Sequence, residues 1–284
     1  YGVRILLLLL VVSIIAFALV CLSPVDPIQQ YILGVGSVSA EQREELEDYW
    51  GVNDAPVERY MNWLTALLHG DFGVSLLYRR PVLDIIGERF LNSIALMFSS
   101  WLLSGVIGFT LGCLMGMYRE RMTDRILKKI CYILSSIPTF WLGLILLLVF
   151  SVYLKWFPIG FSSPIGITSS EVSLWQRLYH LALPAITLSL MSFSQIALHT
   201  RQKLIDVMES DYVLFARSRG ESRFTVLRRH GLRNIVLPAL TLQFASFAEL
   251  FGGSVIAENV FSYPGLGSAV SAAGLNSDVP LLLG

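Results

Sequence analysis

Charged residues are scarce in this chain of 284 residues. Asp, Glu, Lys and Arg make up 15% of it, against about 25% in soluble domains. Hydrophobic residues make up 54%, and this composition excludes an ordinary water-soluble globule. Lys plus Arg and Asp plus Glu each number 21. Because there is no basic excess, no nucleic-acid partner is predicted.

Motifs for catalysis and metal binding are also missing. Cys21, Cys113 and Cys131 lie in apolar runs without CxxC spacing, which predicts neither a disulfide framework nor a zinc site. The four histidines are scattered, so no metal site is predicted. The sequence contains no GxxxxGK(S/T), HExxH or GxSxG pattern. We therefore predict that the chain is not an enzyme and binds no cofactor itself.

Long apolar runs are the main feature of the sequence. A helix needs about 20 mainly apolar residues to cross the hydrocarbon of a bilayer. Five runs meet this requirement, which predicts an all-α, polytopic transmembrane helical bundle with short external helices. The predicted spans are Val3 to Leu22, Ser93 to Tyr118, Ile130 to Leu154, Leu181 to His199, and Leu237 to Ala257. The first is too long for a signal peptide, and the final apolar run, Val279 to Leu283, is expected to begin a sixth span.

Basic residues are unevenly distributed. Fourteen of the 21 lie at the N-terminus, between the second and third spans, or between the fourth and fifth. The positive-inside rule places these three regions in the cytoplasm. The chain then divides into a first transmembrane helix (1–22), an external helical excursion (23–92) and a membrane core (93–284) containing a cytoplasmic loop at 200–236.

The external excursion carries two helical patterns. Ser39 and Gln42 form a capping-box pattern ahead of a charged helix, Ala40 to Trp50. A second helix is predicted from Pro56 to Leu68. Two roles remain open for these helices, a lid over the outer ends of the spans or a docking site for a partner.

The cytoplasmic loop is much longer than the roughly 2 to 8 residues that usually connect helices. Its apolar residues recur at helical spacing, which predicts one helix from Leu204 to Gly220. Ala216 and Gly220 are four residues apart and form a small patch that another protein's surface could approach closely. Arginines, including Arg217 and Arg219, flank this patch.

The segment Tyr212 to Pro238, YVLFARSRGESRFTVLRRHGLRNIVLP, resembles the cytoplasmic EAA loop of ABC importer permeases, in their peptide and nickel branch. In that family the loop is a coupling helix that seats in a groove of the ATPase subunit. Leu214 and Phe215 replace the glutamate and the first alanine of the general EAA pattern, and fourteen residues rather than nine separate Gly220 from Ile235. Both departures are typical of the peptide and nickel branch. A basic loop that binds lipid headgroups is the alternative. The resemblance implies ATPase coupling for Phe215, Ala216, Arg217, Arg219, Gly220, Leu237 and Pro238.

Further motifs extend the resemblance over nearly the whole chain. They are Gly70-Asp-Phe-Gly-Val-Ser, Phe140-Trp-Leu-Gly, Gly252-Gly-Ser-Val-Ile-Ala-Glu-Asn-Val-Phe and Tyr263-Pro-Gly-Leu-Gly. The resemblance implies a type I permease in the bacterial cytoplasmic (inner) membrane. It also implies four kinds of partner: a homologous second permease subunit, two ATPase subunits that bind ATP and Mg, an extracellular solute-binding protein and the lipid bilayer.

Small residues recur at every fourth position of the second predicted span, at Ser104, Gly108, Gly112 and Gly116. Such a row lets helices approach closely in lipid, so we predict a helix-packing face. Direct contact with solute is the alternative. Pro138 predicts a kink in the third span.

Glu249 is a carboxylate near the middle of the fifth predicted span. Its burial in lipid is costly unless it faces a cavity or a partner. With Gly252 and Gly253 it is predicted to line the translocation path, and a structural bond to a neighbouring helix is the alternative.

The segment around Glu249 also favours one class of solute. Ala248-Glu-Leu-Phe-Gly-Gly is similar to nickel-type permeases, which favours nickel, as a chelate, over a di- or oligopeptide. An ion-coupled secondary transporter using Glu249 is the alternative from another class, although such folds usually show internal repeats and several intramembrane charges.

Overall fold

A computed structural model describes residues 2–22, 39, 41, 43, 54–164 and 172–284. Regular structure in these residues is helical, apart from one isolated antiparallel bridge between Val74 and Pro81. The predicted all-α fold is confirmed. The helix predicted from Ala40 to Trp50 lies almost entirely outside the described residues, whereas the helix predicted from Pro56 to Leu68 is present with those bounds.

Twelve α-helices are present in the described residues. In chain order they are α1 (Gly2–Cys21), α2 (Pro56–Leu68), α3 (Val82–Met117), α4 (Met122–Ser136), α5 (Thr139–Leu146), α6 (Leu174–Met208), α7 (Asp211–Ser218), α8 (Arg223–Val226), α9 (Leu232–Ala245), α10 (Phe247–Val260), α11 (Leu266–Leu275) and α12 (Val279–Leu283). Two π-helical segments, Leu147–Tyr153 and Leu227–Gly231, continue α5 and α8.

Three of the described helices, α1, α3 and α6, are long and apolar enough to cross a membrane. Two bent pairs bring the number to five if each pair counts as one span. The first pair is α4 with α5 and its π segment, and the second joins the stretch Arg223–Ala245 to α10. The five predicted spans are therefore found, but two of them are not continuous helices.

The third predicted span is wrong as a single helix. The chain bends by 108° between α4 and α5, so Ile130 to Ser136 belong to a different helix from Thr139 onward. Ile137 is extended at φ −86° and ψ 130°, because the ring of Pro138 disfavours a helical conformation in the residue before it. The expected kink is a full break.

The fourth span is longer than predicted and begins with a capping box. The Ser173 side chain accepts a hydrogen bond from the Gln176 amide, and the Gln176 side chain accepts one from the Ser173 amide. From there α6 continues well past His199 to Met208. Its serines and threonines are largely buried, as expected for a helix surrounded by protein.

The chain forms two compact units, described separately. The first comprises residues 1–91 and 268–284. In it, α1 is almost wholly exposed, with Phe17 its one buried side chain among those described. Phe17 packs on Tyr60 of α2, and Ser13 shares a 2.8 Å hydrogen bond with the same tyrosine. Asp278 is buried and accepts a hydrogen bond from Ser75 Oγ.

The second unit comprises residues 92–267 and holds the larger core. Leu96 of α3, several leucines of α6, and Leu250 and Phe261 of the α10 region form one apolar cluster. A second cluster, which we call the basic-side cluster, joins α3, α6, α7, α9 and the segment around α8. Its buried members are Cys113, Leu204, Met208, Val213, Val226, Leu227 and Ile235.

Candidate functional site

The short helix α7 lies on the side of unit 2 that is rich in arginine. Val213 is fully buried in the basic-side cluster, and Ala216 is also buried. The opposite face is exposed and apolar: Tyr212, Leu214 and Phe215 all lie open, with Phe215 65% exposed. An anchored helix with an exposed apolar face can bind a partner that covers this face.

The helix predicted from Leu204 to Gly220 is not continuous. Leu204 to Met208 form the last part of α6, and α7 starts again at Asp211. Between them Ser210 is extended at φ −71° and ψ 150°, and its Oγ donates to the carbonyl oxygen of Val207. Serine competes with the helical hydrogen bonds in this way, which favours a helix boundary over a helix interior.

The end of α7 is a Schellman motif built on Gly220. The Gly220 amide donates to Arg217 O at 2.9 Å, and the Glu221 amide donates to Ala216 O at 3.2 Å. Gly220 has φ +87°, a conformation that side chains with a Cβ rarely adopt. Gly220 therefore ends α7, while the side chain of Ala216 points inward. Arg217 and Arg219 are exposed beside it.

Glu221 ties the end of α7 to the π segment after α8. Its Oε1 lies 3.5 Å from Arg229 Nη1, and its Oε2 lies 3.5 Å from His230 Nε2. The His230 ring also contacts Tyr212, whose hydroxyl accepts a hydrogen bond from Asn234. These contacts fix the orientation of α7 on the bundle. Leu237 and Pro238 lie elsewhere, within α9, and Leu237 is largely exposed.

An ion pair between a buried carboxylate and a partly buried arginine stabilises this region. Arg201 of α6 donates to Asp124 of α4 through Nε at 2.6 Å and through Nη2 at 2.8 Å. The Glu120 amide donates a third hydrogen bond to the same carboxylate. Asp124 precedes the apolar run of its helix. The hydrogen bonds from Arg201 are the main reason why the pKa of Asp124 lies below its usual value. An exposed pair, Arg119 with Glu209, lies nearby.

The small residues of α3 lie against α6. A Cβ added at Gly112 would lie 2.6 Å from both Ala197 O and Thr200 Cβ. At Gly108 it would lie 2.8 Å from Phe193 O, and at Gly116 it would lie 2.8 Å from a methyl group of Leu204. Ser104 is fully buried at the start of this row, its hydroxyl bonded to Trp101 O. The two helices are thus in backbone contact.

The fifth predicted span breaks at Ser246, where α9 and α10 meet at 47°. Trp101 Nε1 donates to the Gln243 carbonyl oxygen at 2.8 Å, and the hydroxyl of Ser246 donates to the same oxygen. The Gln243 side chain in turn donates to Trp101 O. Gly105 leaves room for this amide, because a Cβ there would lie 2.9 Å from it.

Beyond the break, α10 carries the predicted path residues. Glu249 lies in its first turn and is exposed, as is Gly252 one turn later. No atom would lie within 4 Å of a Cβ at Gly252, whereas one at Gly253 would lie 2.9 Å from Leu188. Glu249 and Gly252 therefore share an open face, and Gly253 packs against α6.

Sequence reasoning missed Glu258, a fully buried carboxylate in α10. Ser93 Oγ donates to it at 2.6 Å and accepts from the Leu266 amide at 2.7 Å. Gly265 packs so closely that a Cβ would collide with the carboxylate. Glu258 thus holds the turn after α10 against α3. Its position three residues before the Phe-Ser-Tyr-Pro-Gly turn was the available signal.

No group of three or more His, Cys, Asp or Glu side chains that could hold a metal ion occurs in the part of the chain that the structure describes. The arrangement offers instead an anchored surface helix on the basic side and a small, open face bearing one carboxylate in a broken helix.

Comparison with known proteins gives a family and several relatives. The model of the family described as "Binding-protein-dependent transport system inner membrane component" matches residues 108–284. The chain is 32% identical over 277 residues to the oligopeptide transport system permease protein AppB of Bacillus subtilis (strain 168), which covers 97% of this chain and 86% of that protein.

Two further relatives are named as glutathione permeases. The glutathione transport system permease protein GsiC of Escherichia coli (strain K12) is 32% identical over 274 residues, covering 96% of this chain and 85% of that protein. Its counterpart from Salmonella choleraesuis (strain SC-B67) is 34% identical over 259 residues, covering 91% and 80%. Together these matches show that the chain belongs to the family of binding-protein-dependent transport system inner membrane components.

Proposed function

We propose that the chain is the permease subunit of an ATP-driven importer of peptides. The names of the relatives support a peptide solute, since one is an oligopeptide permease and the other a glutathione permease. Nickel, the solute favoured from the segment around Glu249, has no such support, and the peptide alternative replaces it. The chain forms half of the translocation pathway and carries out no chemistry itself.

The proposed assembly has four other protein subunits. A homologous permease completes the pathway, two ATPase subunits bind ATP and Mg and hydrolyse the nucleotide, and an extracellular solute-binding protein delivers the peptide. The chain lies in the bacterial inner membrane with its N-terminus in the cytoplasm, because most of its basic residues fall on that side.

The observation that carries this proposal is the exposed aromatic face of α7. Phe215 and its neighbours seat in a groove of the ATPase, while Val213 and Ala216 hold the helix to the basic-side cluster. Arg217 and Arg219 border the contact, and Gly220 sets where the helix ends. Closure of the two ATPase subunits pushes α7, and the basic-side cluster passes the displacement to α6 and α9. Leu237 and Pro238 of α9 lie on this route rather than in the contact itself.

The path for the solute follows the open face of α10. Glu249 is exposed on an apolar helix, and such a carboxylate is tolerated in a membrane when it faces water or a partner. Gly252 keeps the same face free of side chains. In the assembled pair of permeases this face lines the central cavity, and Gly253 holds α10 against α6.

The experiment compares two truncations of exposed phenylalanines in the reconstituted importer. Phe215→Ala should lower peptide-stimulated ATP hydrolysis about 30-fold, because a central aromatic contact contributes about 2 kcal/mol or more to an interface. Phe98→Ala, on α3, should leave it unchanged, since Phe98 is similarly exposed but lies far along the chain from α7. Equal activities of the two variants would contradict the coupling role.

The same reconstituted importer tests the solute. Uptake of labelled di-, tri- and longer peptides is measured beside uptake of nickel with a histidine chelator. We expect peptide uptake that requires ATP and the binding protein, and no nickel uptake. Nickel uptake without peptide uptake would reverse the assignment.

A further inference from the structure

The break in the fifth span separates two helices that belong to different parts of the core. Ile235 of α9 is buried in the basic-side cluster, which also anchors α7. Leu250 of α10 is buried in the apolar cluster that contains Leu96 of α3, which we call the Leu96 cluster. The joint at Ser246 therefore lies between the half of the span that is linked to α7 and the half that carries Glu249.

The backbone hydrogen bonds of the span are interrupted at this joint. α9 ends at Ala245 and α10 begins at Phe247, with Ser246 between them at φ −71° and ψ −10°. The last carbonyls of one helix and the first amides of the next lack partners within their own helices. In a continuous helix the Phe247 amide would donate to the carbonyl oxygen of Gln243, four residues earlier. A straight span would thus recover backbone hydrogen bonds that the bent span gives up.

Side chains take the place of that amide in the structure. Trp101 Nε1 of α3 donates to the Gln243 carbonyl oxygen at 2.8 Å, and Ser246 Oγ donates to the same atom at 2.9 Å. A carbonyl oxygen has two lone pairs, and these two donors occupy both. The Phe247 amide can bind this oxygen only after one of them has left. The bent and straight forms of the span therefore exclude each other at a single atom.

The Gln243 side chain is only partly satisfied in the bent form. Its Nε2 donates to the backbone oxygen of Trp101, but its Oε1 is buried without a hydrogen-bond partner among the residues that the structure describes. A buried acceptor left unpaired costs free energy. The amide is confined there because it lies on Gly105, where a Cβ would be 2.9 Å from it. Release of this acceptor and recovery of backbone hydrogen bonds both favour the straight form, and the bond from Trp101 opposes them.

We propose that Ser246 is a hinge of the permease and that the Trp101 indole is its latch. The indole packs against the Leu96 cluster, whereas α9 follows the basic-side cluster. When α7 is pushed, α9 tilts and carries the Gln243 carbonyl oxygen away from the indole, and the Phe247 amide binds this oxygen instead. The angle between α9 and α10 then changes, and with it the position of the open face that carries Glu249.

Trp101 is a positioning residue in this scheme, since it acts on the solute path through the joint and does not touch the solute. The inference rests on the proposed function, because it names the joint through which coupling reaches that path. It adds a bistable element, which a push at α7 needs in order to switch access rather than deform the bundle continuously.

The first experiment removes the amide that the straight form requires. Phe247→Pro takes away this donor, and in a continuous helix the proline ring would collide with the Gln243 carbonyl. Proline is tolerated at the first position of a helix, which Phe247 occupies in the bent form. In the reconstituted importer this variant should lower the maximal rate of peptide uptake about 100-fold, with the KM for the loaded binding protein unchanged.

The matched control is Phe247→Ala, which removes the same ring but keeps the amide. It should retain uptake within about twofold of the unchanged chain, as expected for a partly exposed side chain without a hydrogen bond to lose. Equal rates of uptake by the proline and alanine variants would overturn the proposal.

The second experiment measures the bend itself. Cysteines at Arg233 and Asn259, each thirteen positions from Ser246, carry spin labels in a chain whose native cysteines are changed to alanine. At 1.5 Å per residue and a bend of 47°, the two backbone positions lie about 36 Å apart, against about 39 Å in a straight helix. Pulsed EPR of the importer in nanodiscs should show the longer distance when a non-hydrolysable ATP analogue closes the ATPase subunits.

Trp101→Phe tests the latch in the same samples. Loss of one neutral hydrogen bond should shift the ratio of short to long distances about fivefold towards the long one without nucleotide. Trp141→Phe is the matched control, since Trp141 lies on α5 and is 55% exposed, and it should leave the ratio unchanged. Equal distance distributions in these two variants, or no change with nucleotide in the unchanged chain, would overturn the proposal.

Failure of the hinge can be told from failure of the proposed function. An importer that loses ATPase activity on Phe215→Ala, but whose labels keep one distance with and without nucleotide, contradicts only the hinge. A nucleotide-dependent distance together with equal ATPase activities of the Phe215→Ala and Phe98→Ala variants supports the hinge and contradicts the coupling role of Phe215.

Discussion

Replacing Gly112 by alanine tests the contact between α3 and α6 most directly. The added Cβ would lie 2.6 Å from a backbone oxygen and 2.6 Å from a Cβ of α6. Neither atom is the end of a flexible chain, so the collision is relieved only if the helices move apart. Gly87 gives a matched control in the same helix, since a Cβ there meets nothing within 4 Å.

The magnitude follows from two opposing terms. Overpacking of a rigid contact costs about 3 kcal/mol at the upper end of the observed range. Alanine is better than glycine in a helix by about 1 kcal/mol. Gly112→Ala should therefore destabilise the fold by about 2 kcal/mol, a roughly 30-fold change in the folded-to-unfolded ratio. Gly87→Ala should be neutral or stabilising by up to about 1 kcal/mol.

Reversible unfolding in mixed micelles, titrated with SDS and followed by tryptophan fluorescence, measures both variants against the unchanged chain. The expected difference between them is about 3 kcal/mol, which is the collision term, because the propensity gain is common to both variants and cancels. If the two alanine variants unfold together, α3 and α6 are not in backbone contact at Gly112. The reasoning from the small-residue row would then be refuted.

Three further substitutions have defined outcomes. Asp124→Asn leaves the partly buried Arg201 without its carboxylate partner and should cost about 2 kcal/mol of unfolding free energy, against about 0.5 kcal/mol for Glu209→Gln in the exposed pair. Because the pKa of Asp124 is lowered on folding, its contribution to stability should be complete above about pH 5. It should disappear as the pH falls through the folded pKa, in an unfolding series run against Asp124→Asn. Glu249→Gln should reduce uptake of lysine-containing peptides more than of uncharged ones, and equal losses would make Glu249 structural. Trp101→Phe removes the hydrogen bond to the Gln243 carbonyl oxygen and should lower the unfolding free energy by about 1 kcal/mol. If the unfolding free energy does not change, this bond does not stabilise the break in the fifth span.

Local signals predicted the elements that depend on local physics. Pro56 and Gly70 bracket α2, which has the predicted bounds, because proline is favoured in the first turn and glycine after the last. The spans were visible because apolar length alone decides whether a helix can cross lipid. Pro138 likewise predicted a kink, but only the structure shows that the helix breaks there with a bend of 108°.

The features that sequence could not give depend on distant partners. The break at Ser246 is stabilised by Trp101, far away in the chain, so no local pattern marks it. Asp124 looks like an ordinary charge of a cytoplasmic loop until Arg201 is found beside it. Ala216 was interpreted together with Gly220 as one patch, but the rotation of α7 turns its methyl group inward, and only the tertiary fold fixes that rotation.

Two sets of contacts hold α6 near its cytoplasmic end. Its cytoplasmic end contributes Leu204 and Met208 to the basic-side cluster that anchors α7. One turn earlier, Thr200 meets Gly112 of α3 at backbone distance. Packed interiors are stiff and transmit displacement rather than absorb it. We infer that, under the proposed coupling, a push on α7 displaces α6 and α3 together, so that the α3–α6 pair rather than α7 alone is the unit that responds.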